Sequence, residues 1–76
     1  MNNTRRKALN KIKEQIEDIK MAIEELRDEE QEYLGNIPEN LQSSEKYEKA
    51  ENAVYELDDA LNNLDSVIEN IENAVE

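Results

Sequence analysis

The chain of 76 residues has no cysteine, no histidine, no tryptophan and no phenylalanine, and only one glycine and one proline. Each absence removes a class of chemistry. Without cysteine there is no disulfide, no thiol nucleophile and no zinc thiolate site. Without histidine the commonest general base and metal ligand is missing, and with it the Glu-x-x-His motif of di-iron bundles. One glycine cannot build a phosphate-cradling loop, and Ser43, Ser44 and Ser66 have no base to activate them. No apolar run approaches the ~18–20 residues of a membrane span. The basic start "MNNTRRKALNKIK" is not followed by the apolar stretch of a signal peptide. The expectation is a non-catalytic intracellular protein, without cofactor or metal and away from membranes.

What is present is charge in a helical rhythm. Twenty carboxylates face nine basic residues, for a net charge of −11. High charge with few aromatics also marks disordered chains, so the phasing of the apolar residues decides. Leu9, Ile12, Ile16, Ile19, Ile23 and Leu26 follow one another at alternating steps of three and four, and the phase continues to Glu30 and Tyr33. Tyr47, Ala50, Val54, Leu57, Leu61, Leu64, Ile68, Ile71 and Val75 do the same. A sustained period of about 3.5 residues is the seam of coiled-coil helices. Gly35 and Pro38 interrupt it once.

The predicted fold is all-α: one domain, 1–76, forming an antiparallel two-helix coiled-coil hairpin. Helix 1 covers about 4–34, capped by Asn3 or Thr4. The connection is 35–43, and helix 2 covers about 44–75 from a Ser43 or Ser44 cap. Gly35 is expected in the left-handed conformation past the end of helix 1. Asn36 and Glu39 have capping-box spacing, with Pro38 in a first turn, so the connection is expected to hold a short helical turn. Its Ile37 and Leu41 would lid a Tyr33–Tyr47 layer.

With Leu9 and Tyr47 at heptad position a, the e row of helix 1 is basic (Arg6, Lys13, Lys20, Arg27) and that of helix 2 acidic (Glu51, Asp58, Asp65, Glu72). One register pairs Arg6–Glu72, Lys13–Asp65, Lys20–Asp58 and Arg27–Glu51. It also stacks the apolar layers from Leu9 on Ile71 to Leu26 on Val54. The acidic end of helix 2 would then neutralise the basic cluster Arg5, Arg6, Lys7, Lys11 and Lys13, leaving no basic face for nucleic acid. The g rows hold a small, mostly apolar seam: Ala8, Gln15, Ala22 and Glu29 on helix 1, then Ala53, Ala60, Val67 and Ala74 on helix 2, with the alanines and Val67 as its candidate contacts. Two helices cannot enclose their a and d residues, so the seam predicts a homodimer closing into a four-helix bundle.

The outward face of helix 1 carries Glu14, Glu17, Asp18, Glu24, Glu25 and Asp28 around Met21, and helix 2 shows Tyr55 at a solvent position. The bland reading is a solvated surface. The sharper one is a face for another protein, since Met and Tyr are enriched in interface cores, or a mimic of DNA charge. Glu39, Asn40 and Gln42 are further candidate contacts in the connection. A calcium loop over "DEEQEYLGNIPE" is excluded, because Tyr33 stands where such a loop needs glycine.

The block "NIPENLQSSEKYEKAENAVYELDDAL" resembles small helical proteins of Firmicutes and their phages, through Asn36, Ile37, Pro38, Glu39, Asn40, Leu41, Gln42, Ser44, Glu45 and Tyr47. The resemblance implies a phage or mobile-element protein and brings no site residues. The functional expectation is therefore a small acidic protein-interaction module that regulates or inhibits a host protein. The alternatives are a DNA-mimic inhibitor of a DNA-handling or defence enzyme, or a purely structural self-association module.

Overall fold

Two helices take up nearly the whole chain in the computed structural model, which describes all residues 1–76. Helix α1 (Asn3–Gly35) and helix α2 (Glu45–Val75) lie against each other, joined through one 3-10 turn at Glu39–Leu41. The hairpin measures 59 × 15 × 13 Å, with a radius of gyration of 17.3 Å. A compact chain of this length would have a radius near ~11 Å, so the molecule is a rod.

The helix ends follow from local chemistry. At the start of α1, Asn2 accepts the Arg5 N–H on its side-chain oxygen at 2.8 Å. The cap thus lies just before the expected Asn3 or Thr4. At the start of α2, Ser44 caps as expected, accepting the Tyr47 N–H at 3.3 Å. Glu45 and Glu48 follow in the first turn, where the helix dipole favours acids.

The connection departs from expectation at two points. Gly35 is not left-handed; it is the last residue of α1, and no residue in the chain has a positive φ. The helix closes instead by tightening, with the Asn36 N–H directed at the carbonyls of Glu32, Tyr33 and Leu34. A 3-10-type closure satisfies the last carbonyls without a left-handed residue. Asn36 also makes no capping box. Pro38 precedes the 3-10 turn rather than sitting in it, and no side chain caps that turn. The short helical turn itself is present, held by the Leu41 N–H on the Pro38 carbonyl at 2.9 Å.

Pairing between the helices corrects the expected ion pairs. Arg27 meets Asp58 rather than Glu51, at 2.8 Å, and Lys20 meets Asp65 rather than Asp58, at 2.6 Å. Both partners are displaced by seven residues, one heptad. The ends of the two helices still lie side by side. Arg6 Nε donates to the Val75 carbonyl at 3.1 Å, and α1 ends at Gly35 where α2 begins at Glu45. The displacement comes from side-chain direction. Every helical side chain leans toward its own N-terminus. In an antiparallel pair the two leans converge, so each cation reaches the acid that a backbone-level view places one turn pair away.

The second correction concerns the core. On α1 the a row (Leu9, Ile16, Ile23, Glu30) and the e row (Arg6, Lys13, Lys20, Arg27, Leu34) are half-buried, whereas the d row is exposed. Helix α1 is therefore rolled toward its e row, and the Arg and Lys stems of that row cover α2. Ile12, Ile19, Leu26 and Tyr33, expected inside, stand outside. Only Ala50 and Val54 are buried in the entire chain.

Candidate interaction surface

The roll of α1 builds the most conspicuous feature of the molecule. Ile12, Ile19, Leu26 and Tyr33 recur every seventh residue, and their exposure runs from 44 % at Ile12 to 59 % at Leu26. They form one straight apolar row along the rod. Ala8 and Ala22 of the g row, both exposed, alternate with them. The polar Gln15 and Glu29 hold the other two g positions, so the row is apolar in two stretches, Ala8–Ile12 and Ile19–Ala22–Leu26, with Tyr33 beyond them. Scattered surface apolars need no explanation; four large ones in a single heptad row make this face the candidate interaction surface.

Helix α2 contributes the other half of the expected seam unevenly. Val67 and Ala74 are exposed, and Ala53 and Ala60 are half-buried within the hairpin itself. The sequence located the small g row. It placed the larger d row of α1 in the core, because periodicity gives a stripe and not the angle at which a partner covers it.

The acidic face stands where expected. Glu14, Glu17, Asp18, Glu25 and Asp28 are exposed, Glu24 is half-buried, and Met21 projects among them at 59 % exposure. Two of these carboxylates have a cation nearby: Glu24 lies 3.6 Å from Lys20, and Asp28 lies 3.3 Å from Arg27. The hydrogen bond that Lys20 donates to Asp65 raises the Lys20 pKa above its ordinary value, and the one that Arg27 donates to Asp58 does the same for Arg27, each against a partial desolvation that lowers it. Tyr55 is exposed on α2.

The basic cluster lies at the C-terminal end of α2 but forms no close ion pair with its acids. Arg6 is engaged with the Val75 carbonyl and with Asn3. Arg5, Lys7, Lys11 and Lys13 have no carboxylate within 4.0 Å; the ion pairs of the hairpin involve Lys20, Arg27 and Lys49. Asp65, which was to answer Lys13, is taken by Lys20.

At the connection, Tyr33, Asn36, Ile37, Pro38, Leu41, Ser44 and Lys46 line an open cleft of about 310 Å³. Ile37 is half-buried, but Leu41 and Tyr33 are both exposed. The connection therefore borders a cleft rather than sealing the end of the seam. Of the candidate contacts there, Glu39, Asn40 and Gln42 are exposed and do not line the cleft. No group of three or more acidic side chains comes together to hold a metal ion, and no helix is long and apolar enough to cross a membrane. No family model, curated protein or solved structure matches this chain.

Proposed function

We propose that this protein is a non-catalytic, acidic protein-interaction module that works as a homodimer, its α1 stripe closed by a second copy into a four-helix bundle. The single observation that carries the reading is surface. A compact monomer of 8.9 kDa would expose ~4,800 Å², whereas the hairpin exposes 5818 Å². By the same scaling, two copies folded into one compact body would bury about 3,600 Å² in total. That lies within the roughly 2,000–5,000 Å² of obligate homodimers.

In this reading the dimer leaves the outward face of α1 free, with Met21 among its carboxylates, and also Tyr55 on α2. These suit a regulator or inhibitor that docks on another protein, in keeping with the likeness of the connection to small proteins of Firmicutes phages. A mimic of duplex DNA ranks second. Seven carboxylates (Glu14, Glu17, Asp18, Glu24, Glu25, Asp28 and Glu32) share the ~27 Å of axis from residue 14 to 32. That is one per ~4 Å, against one per ~1.7 Å in DNA.

Sedimentation equilibrium tests the dimer. The expected mass is twice that of the chain across micromolar concentrations. A monomer mass at every concentration would sink the reading.

A further inference from the structure

The stripe on α1 is polar in charge along its length, and that polarity specifies how a second copy sits on it. Residues 1–13 carry five basic side chains and no carboxylate, whereas residues 14–35 carry nine carboxylates and two basic side chains. This order opposes the helix dipole, which favours acids at the N-terminus and bases at the C-terminus. The first turn of α1 has no acid and its last turn no base. The hairpin brings the C-terminal end of α2 to this basic end, with Arg6 on the Val75 carbonyl, but forms no close ion pair there. Arg5, Lys7, Lys11 and Lys13 find no carboxylate partner in it, and the acids nearest the other end of α1 adjoin Glu45, Glu48 and Glu51 of α2.

We infer that two copies dock head to tail, α1 against the α1 of the second copy, each basic end lying beside the other's acidic end. The proposal rests on the homodimer reading above and adds its geometry. Arg5 occupies the d row that Ile12 continues, and Lys11 flanks it; Glu29 and Glu32 sit on the stripe and its flank at the opposite end. Running the two helices antiparallel brings Arg5 and Lys11 of each copy to Glu29 and Glu32 of the other. Running them parallel stacks like charges at both ends, which is destabilising in a contact with little water.

The apolar residues accept the antiparallel arrangement. Ile19 then faces Ala22 of the second copy and Tyr33 faces its Ala8, small residues that leave room for the large ones, while Leu26 faces Gln15. In this register Ile12 lies opposite Glu29 of the second copy. Two Ile12 residues are then separated by about seventeen residues of helix, or ~25 Å.

The absence of native cysteine makes this measurable. Chains carrying Ile12→Cys and chains carrying Glu29→Cys are mixed, equilibrated and treated with a short bismaleimide linker, which tolerates a register error of about one helical turn, ~5 Å. The expected result is a cross-linked mixed dimer several-fold in excess of either self-linked dimer. Efficient self-linking of Ile12→Cys alone would overturn the head-to-tail geometry and leave the dimer intact. A dimeric mass with no cross-link in the mixture would overturn it as well, since the interface would then lie off the stripe. A monomeric mass for the unmodified chain would instead remove the homodimer reading on which the inference stands.

Discussion

At the scale of single residues, Gly35 shows how a residue type can mislead about its conformation. A lone glycine between two helices suggests a left-handed stop. Instead Gly35 has an ordinary negative φ and belongs to the last turn of α1. A β-carbon built on it would meet nothing within 4 Å. Glycine there therefore carries the entropic cost of a flexible residue without using its freedom. Gly35→Ala should stabilise the hairpin by about 0.5–1 kcal/mol, the usual difference between the two residues at a helical site that alanine can occupy. Urea denaturation would read it as a higher midpoint at unchanged slope. A lower midpoint would mean that the left-handed stop is used after all.

At the scale of elements, the ion pairs across the helices separate what a heptad pattern encodes from what it leaves open. The basic e row of α1 and the acidic e row of α2 announced their pairing, its antiparallel sense and the two helix spans. They could not announce which acid each cation takes, because the rows repeat every seven residues and every pairing shifted by a heptad is equally complementary. The lean of helical side chains decides it, sending Arg27 to Asp58 and Lys20 to Asp65. The same limit explains why Ile12, Ile19, Leu26 and Tyr33 were placed inside. Phase identifies a stripe of about three rows, and the roll of α1 toward its e row selects which two of them α2 covers. Ser44 was legible because a cap is a local bond, while Asn36 was misread because the capping-box spacing competes with the tighter closure of α1. The pairing can be tested by charge exchange. Arg27→Glu should lower the melting temperature, Asp58→Arg in the same chain should restore part of the loss, and Glu51→Arg should not. Recovery with Glu51→Arg instead would show that the cation reaches the backbone-level partner.

At the scale of the whole molecule, a hairpin with two buried residues has little to hold it together by itself. The entropy of ordering each residue opposes folding throughout the chain, whereas apolar burial, the main opposing term, is left half finished along α1. In the proposed dimer a second copy completes it, so folding and association are expected to be one process. Two consequences follow from mass action. The melting temperature of the unmodified protein should rise with protein concentration, because the folded state is favoured by binding its partner. And Ile19→Gln with Leu26→Gln, which removes the centre of the stripe without touching the residues buried within one hairpin, should not yield a well-folded monomer. It should yield a chain whose helical circular-dichroism signal is largely lost at the micromolar concentrations where the unmodified protein is folded, and partly regained as concentration increases. A folded, helical monomer with a concentration-independent melting temperature would show that the hairpin sustains itself and that the exposed row on α1 is not part of its folding.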